Sequence, residues 1–258
     1  MKKVKIFAWI VFVNIFLVVI AGSVVRMTGS GMGCPDWPKC FGYWIPPSDV
    51  EDITWKAERQ FNEGQIIIKD SALWIANANF VSENSYKESN WDKYTKHDYA
   101  VFNKFHTWTE NINRWFGALL GVFAFVLLIL SLLKWRVNKN IFWLALAQFF
   151  LIGFEAWLGK LTVDANLDAN MITYHMLGVI VMIIVQIALL RQINSELGIL
   201  KTKNYPKLFK TIIAVGILLM IVQIVLGTQV RQQVDEEIHK GTFREIIPSK
   251  LDYLFYIH

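Results

Sequence analysis

The stretches VFAFVLLILSLL (122–133) and IVMIIVQIALL (180–190) are apolar on every side that a helix would present. A helix packed against a soluble core keeps a polar face toward water, and these two stretches have none. Inside a bilayer every backbone polar group must be bonded within the spanning element, and a single segment achieves this only as a helix. Both stretches are therefore predicted to be transmembrane helices.

Five apolar blocks of this chain are long enough to cross roughly 30 Å of hydrocarbon. Apolar residues make up 54% of its 258 residues, which is high for a soluble protein. The blocks lie at about 6–25, 115–133, 141–159, 171–190 and 211–230. The first block is longer than the apolar core of a signal peptide and is followed by Arg26 instead of a cleavage site, so we expect it to be retained. The pattern predicts an all-α fold, a polytopic membrane helix bundle.

Lysine and arginine concentrate in three short stretches that alternate along the chain, and such stretches usually face the cytoplasm. Residues 1–5 and 134–140 carry three each, and residues 191–210 carry five. The segment 27–112, with twelve of the 21 acidic residues, then lies on the outer side. We expect a multi-pass protein of the cell's inner (plasma) membrane with a cytoplasmic N-terminus. The net positive charge follows from this topology and does not indicate nucleic-acid binding.

The outer segment contains both cysteines, Cys34 and Cys40, in the turn-rich sequence CPDWPKC. An outer location permits a disulfide between them, and a small structural staple is its simplest role. A zinc site needs more soft ligands than this pair supplies. The segment also holds six of the 11 tryptophans, a residue that favours the membrane interface. We expect a cap on the outer leaflet, with helix around 50–63 and 67–80.

A repeated sequence pattern, referred to below as the echo, suggests that a four-helix unit is used twice. The first apolar block ends on GSVVR (22–26) and the fifth on GTQVR (227–231), both of the form G-[ST]-x-V-R. We expect residues 1–190 to form the first half, with the cap at about 27–112, and residues 191–258 to begin the second half. On this interpretation the chain stops early in its second half and is a fragment.

Ionisable side chains within predicted spans are costly and are candidates for function. Glu110, Asn113 and Arg114 stand at i, i+3 and i+4, so they share one face of the second helix. The alternative is a Glu–Arg pair that only anchors the helix end at the interface. Glu155 lies deep in the third span, four residues before Gly159. There the alternative is hydrogen bonding between helices beside a close-packed glycine.

Two histidines occupy comparable depths in the two predicted halves. His175 lies about one turn inside the fourth span, and His258 stands where a sixth helix would begin. A lone histidine on an apolar face is usually a core residue, but neutral imidazole is also the usual protein ligand of heme iron. One histidine in each half therefore suggests a heme. The other histidines fall in outer loops and are expected to be solvated: His97, His106 and His239.

Several stretches together carry a family resemblance. They are GSVVRMTGSGMGCPDWPKCFG (22–42), TWTENINRWFGALLG (107–121), LTVDANLDANMITYHMLG (161–178), and GTQVRQQVD (227–235) with YIH (256–258). In order, they resemble the first-helix and first-loop signature, the E-x-x-H-R stretch, the fourth-helix histidine region and the second-half counterparts of the heme A synthase family. The resemblance covers essentially the whole chain.

This resemblance implies eight helices in two pseudo-symmetric halves. It implies oxidation of the C8 methyl group of heme O to the formyl group of heme A, with water as the oxygen source. The first half is expected to bind heme O as substrate, and the second to bind heme b as cofactor. Heme O synthase or oxidase assembly factors are the protein partners it suggests. Two other classes remain open: a non-catalytic b-type membrane cytochrome, and a membrane transporter, for which repeats and a buried carboxylate are also typical.

Residue roles follow from the resemblance by position. Glu110 becomes the catalytic carboxylate, His175 a ligand of the substrate heme, and His258 the first heme b ligand. Asn113 occupies a cofactor-binding position where the family has histidine, so His175 is expected to hold the substrate heme alone.

The cysteine pair Cys34 and Cys40 matches the outer-loop pair of many bacterial family members. Three arginines at outer helix ends are expected to meet heme propionates, with interfacial anchoring as the alternative: Arg26, Arg114 and Arg231.

Overall fold

The computed structural model describes residues 1–96, 101–200, 205–243 and 245–258. Five helices within these ranges are long and apolar enough to cross a membrane, which confirms the predicted polytopic helix bundle. They are α1 (Lys2–Met27), α2 (Lys104–Leu132), α3 (Lys139–Asp164), α4 (Ala169–Glu196) and α5 (Lys207–His239). Two short helices follow, α6 (Ile247–Lys250) and α7 (Tyr253–Ile257).

A tight connection turns α3 back along α4. Asn166 and Leu167 both adopt positive φ angles, 50° and 63°, which close the turn in four residues. The Asp168 carboxylate then accepts hydrogen bonds from the backbone N–H groups of Asn170 and Met171 and caps α4. Because such a cap satisfies orphan N–H groups, it fixes where α4 begins. The two helices therefore form an antiparallel hairpin.

One compact unit consists of residues 1–15 and 120–258. Its helix α3 packs against α4, and α4 packs against α5. The buried residues of α3 recur at spacings of three and four along one face, as a helix–helix seam requires: Ile141, Ala145, Gln148, Ile152, Glu155, Leu158 and Thr162. The hydroxyls of Thr173 on α4 and Thr228 on α5 lie 2.6 Å apart. Apolar residues such as Ile184 and Leu218 stay exposed on these helices, as lipid-facing positions do.

The second unit, residues 16–119, contains the outer segment and the helix ends that flank it. Among its described residues, five short strands form two antiparallel sheets. In one, β1 (Gln60–Phe61) pairs with β4 (Phe80–Val81). In the other, β3 (Ala72–Ala76) lies between β2 (Ile66–Lys69) and β5 (Trp91–Lys93).

The helices expected around 50–63 and 67–80 are therefore wrong. The first range holds only a 3-10 turn, Val50–Ile53, and then β1. In the second, β2 and β3 form a hairpin across Asp70 and Ser71, whose φ angles of 52° and 58° match the primed turns that join twisted strands. Residues 66–68 are all isoleucine, whose branched side chains fit a pleated surface better than a helix.

The cap has its own apolar cores. One is built from residues of the cysteine loop and the sheet: Cys34, Cys40, Phe41, Ile53, Ile66 and Leu73. The other is largely aromatic, with the Phe61 and Trp91 rings 5.0 Å apart edge to face. Trp91 is therefore a core residue, whereas Trp37 and Trp44 are exposed, as expected of interfacial tryptophans.

Candidate functional site

The cysteine loop at the start of the cap contains the predicted disulfide between Cys34 and Cys40, and both residues are fully buried. Asp36 organises the loop from within, because its carboxylate accepts hydrogen bonds from the N–H groups of Phe41 and Gly42. Burial raises the pKa of Asp36, while those N–H groups and the Arg114 charge act to lower it. Phe41 and Gly42 have φ angles of 55° and 80°, so the loop closes through a left-handed turn.

Glu110 fastens helix α2 to this loop. Its side chain is buried, and its Oε2 accepts a hydrogen bond of 2.9 Å from the backbone N–H of Cys34. Its Oε1 lies 2.6 Å from Nη2 of Arg114, one turn further along the helix. The predicted i,i+4 pair is thus present, but its side chains are buried beneath the loop instead of lying exposed at an interface.

Arg114 also joins helix α2 to the cysteine loop. Its Nη1 donates to the carbonyl oxygens of Asp36 at 2.5 Å and Lys39 at 2.8 Å. Its Nη2 also reaches the carbonyl oxygen of Cys34 at 3.4 Å. The guanidinium group therefore donates through Nη1 and Nη2 to loop carbonyls, and through Nη2 to Glu110. These loop contacts join residues 75 to 80 positions apart, so helical periodicity could not have indicated them.

Gly33 lets the loop lie directly on α2. A Cβ atom at this position would stand 2.5 Å from the carbonyl carbon of His106 and 2.7 Å from the backbone nitrogen of Thr107. The Thr107 hydroxyl donates a 2.8 Å hydrogen bond to the Gly33 carbonyl oxygen. We refer to Gly33, Cys34, Glu110 and Arg114 below as the loop clamp.

Asn113 lies on the same helix, and its buried Oδ1 makes no hydrogen bond among the residues that the structure describes. It faces Gly22, where an added Cβ would lie 3.8 Å from that oxygen. His106 stands in the first turn of α2, not in a loop, and its ring contacts Phe105. Since α2 is one helix from Lys104 onward, His106 and Asn113 are about 10 Å apart along its axis.

In the other unit, His175 on α4 meets Glu155 on α3. Glu155 is 4% exposed, and its Oε2 lies 2.7 Å from Nδ1 of the imidazole. Gly159 stands beside the opposite edge of the ring, where an added Cβ would be 3.7 Å from Cε1 and 3.9 Å from Nε2. The histidine side chain keeps 38% of its surface exposed. The imidazole is therefore partly exposed, with a buried carboxylate beside Nδ1 and a residue without a side chain beside its Cε1–Nε2 edge.

The second half of the echo shows a similar arrangement. Gly227 faces His258, and an added Cβ would lie 2.8 Å from Cε1 and 3.1 Å from Nε2 of that ring. Gly22 and Gly227 are the first residues of the two G-[ST]-x-V-R matches, and each faces a polar side chain from further along the chain, Asn113 or His258. Arg231, at the end of the second match, pairs through Nε with Asp235 at 3.0 Å.

Three residues named in the sequence analysis remain to be placed: His97, His239 and Arg26. His97 lies outside the described residues, and His239 is the last residue of α5 instead of a loop residue. Arg26 is the basic residue in the last turn of α1. Across the described ranges, no group of three or more His, Cys, Asp and Glu side chains is arranged to hold a metal ion by itself.

The sequence matches the COX15-CtaA family, described as cytochrome oxidase assembly protein, over residues 5–83 and 78–243. It is 24% identical over 176 residues to a protein named heme A synthase from Bartonella bacilliformis, which covers 67% of this chain and 41% of that protein. A heme A synthase from Shewanella oneidensis is 24% identical over 169 residues, or 66% of this chain and 39% of the relative. The chain thus spans less than half the length of these relatives. No solved structure matches.

Proposed function

Because the chain belongs to the COX15-CtaA family of cytochrome oxidase assembly proteins, we propose that it acts in heme A biosynthesis and oxidises the C8 methyl group of heme O. The observation that carries the proposal is the His175 site. An imidazole within a membrane helix has its Nδ1 2.7 Å from Oε2 of the buried Glu155, and Gly159 presents no side chain to its Cε1–Nε2 edge. That geometry supports ligation of a heme iron, and the name heme A synthase carried by the relatives supports a role in making heme A.

In this proposal His175 is the only protein ligand of the substrate heme. Asn113 stands where the family has histidine, and an amide oxygen is a poor ligand for heme iron. His106 cannot replace it on a regular helix, because about 10 Å of helix axis separates the two residues. His175 would then hold the substrate heme without a contribution from Asn113 or His106.

Glu110 is proposed as the catalytic carboxylate. Converting the methyl group to a formyl group removes four electrons and four protons, and water supplies the oxygen. Loss of hydride or electrons from the methyl carbon develops positive charge, which a carboxylate in a water-poor site stabilises strongly. The same group can accept a proton from the attacking water. The Cys34 N–H and Arg114 fix the orientation of this carboxylate in advance.

Heme b is the resident cofactor that the family resemblance suggests, and it would carry electrons away from the substrate. His258, whose ring lies against Gly227, is the residue that would hold it. Arg26, Arg114 and Arg231 remain our proposed partners for heme propionates. For Arg114 this role falls to donors other than those of Nη1, which are bonded to loop carbonyls.

A second candidate function is a non-catalytic membrane cytochrome that passes electrons between bound hemes. One observation favours it: both oxygens of Glu110 are already engaged by Arg114 and Cys34. A carboxylate committed in this way can serve structure alone. The two functions differ in whether the heme leaves chemically altered.

The test is to express the complete reading frame in a bacterial host that makes heme O but no heme A, and to extract the hemes. We expect heme A or its hydroxylated precursor from the wild type, and heme O alone from Glu110→Gln, which keeps the shape but removes the charge. A non-catalytic cytochrome would yield only unmodified heme in the extract. A normal heme A yield from Glu110→Gln would remove Glu110 from the mechanism.

A further inference from the structure

Glu155 is the buried carboxylate for which the proposed reaction has no role. It is 4% exposed within an apolar helix, and neither of its oxygens makes a hydrogen bond among the described residues. Burying a carboxylate in this way is costly unless a partner compensates for it. A close polar neighbour is Nδ1 of His175, 2.7 Å from Oε2, and this nitrogen likewise makes no hydrogen bond among the described residues.

The place of this carboxylate is shaped by a glycine. Gly178 follows His175 by three residues, on the same face of α4. A Cβ atom there would stand 1.7 Å from Oε1 of Glu155 and 2.7 Å from its carboxyl carbon. Any side chain at position 178 would thus occupy the space that the carboxylate fills. Glycine at this position creates a niche beside the histidine, and Glu155 fills it.

We propose that Glu155 is a positioning residue that holds the Nδ1–H tautomer of His175, leaving Nε2 as the basic nitrogen for a ligand. Neutral imidazole carries its proton on one nitrogen, and a partner on one side decides which. A carboxylate beside Nδ1 selects the tautomer with the proton there. Carboxylate–histidine pairs of this kind orient metal ligands and raise their basicity.

The other histidine that faces a glycine, His258 at Gly227, has a different side chain at the comparable spacing. Gln223 precedes Gly227 by four residues, as Glu155 precedes Gly159, but its side chain is neutral and exposed in this structure. Among the described residues, His175 has a carboxylate beside its ring, whereas the residue four positions before Gly227 is an exposed amide. If each histidine binds its own heme iron, the iron held by His175 would have the more electron-donating ligand. Its midpoint potential would then be lower than that of the iron held by His258. This last consequence rests on the proposed function, whereas the tautomer assignment does not.

The tautomer is measured first, without heme, by 15N magnetic resonance of the full-length protein carrying 15N-histidine, with His175→Gln to assign the signal. We expect protonated Nδ1 and unprotonated Nε2 in the wild type, retention of that state in Glu155→Gln, whose amide oxygen still accepts, and its loss in Glu155→Leu. Gln148→Leu is the matched control. Gln148 is fully buried on the same face of α3, seven residues earlier, and is also without a hydrogen bond among the described residues.

The same variants are then reconstituted with hemin and titrated electrochemically. We expect a more positive midpoint potential for Glu155→Gln than for the wild type, and no change for Gln148→Leu. A wild-type His175 with its proton on Nε2, or on both nitrogens, would overturn the proposal. An unchanged tautomer in Glu155→Leu would overturn it equally. A correct tautomer in a protein that yields no heme A would refute the proposed function and leave this inference standing.

Discussion

Replacing Gly33 with alanine should displace the loop clamp from α2. The new Cβ would lie 2.5 Å from the carbonyl carbon of His106, whereas nonbonded carbons prefer about 3.5 Å, so the loop must retreat by about 1 Å. The neighbouring backbone belongs to a helix and cannot yield as a flexible side chain could. Gly33 does not have a positive φ, so the effect is steric and not a matter of backbone strain.

The energetic cost can be worked from two contributions. Overpacking costs about 1–3 kcal/mol. A retreat of this size breaks the 2.9 Å bond from Cys34 N–H to Glu110, and an unsatisfied buried acceptor costs about 1–3 kcal/mol more. We expect a total of about 2–6 kcal/mol, which lowers the melting temperature by roughly 5–20 °C for a chain of this length.

Thermal unfolding in detergent measures this shift. The control is Gly117→Ala on the same helix α2, because a Cβ there meets nothing within 4 Å. Alanine favours a helix over glycine by up to about 1 kcal/mol, so the control should be neutral or slightly stabilised. Equal melting temperatures for Gly33→Ala and the wild type would refute the assignment of the clamp, as would an equal loss in the control.

Three further outcomes are expected. Cys34 and Cys40 should resist alkylation in intact membranes and become reactive only after reduction and unfolding, because they are paired and fully buried; labelling of both under oxidising conditions would exclude the disulfide. His175→Ala should abolish retention of the substrate heme, measured by absorption after purification, while His106→Ala should have a mild effect; complete loss from both would make His106 a ligand. Gly227→Leu should weaken heme b binding in the full-length protein, because its side chain would occupy the space of the His258 ring, whereas Gly216→Leu, at an open position, should not.

The helices of this protein could be predicted because the bilayer imposes a length and a composition on each span. Residues 122–133 and 180–190 satisfy that requirement without reference to any other part of the chain. The Glu110–Arg114 pair was equally local, since a spacing of four residues places both side chains on one helix face. Such features depend on neighbours within one or two turns.

The cap and the clamp were harder to predict, for different reasons. The strands around Asp70 depend on a two-residue turn with positive φ at non-glycine positions, a signal weaker than Asn-Gly. The Arg114 contacts join a helix to a loop that precedes it in the chain, with the strands of the cap between them in sequence. The niche at Gly178 exists only once α3 and α4 pack together. None of these three features produces a periodic pattern in the sequence.

The core shared by the cysteine loop and the sheet also limits how this segment can change its length during evolution. Ile66 and Leu73, on β2 and β3, pack with Cys34 and Cys40, so the sheet backs the loop that orients Glu110. Residues added at the exposed Asp70–Ser71 turn would extend a hairpin into water and disturb nothing beneath it. Deleting either strand would remove the support of the loop. Lineages should therefore vary this cap at its outer turns and lose it only together with a redesign of the loop.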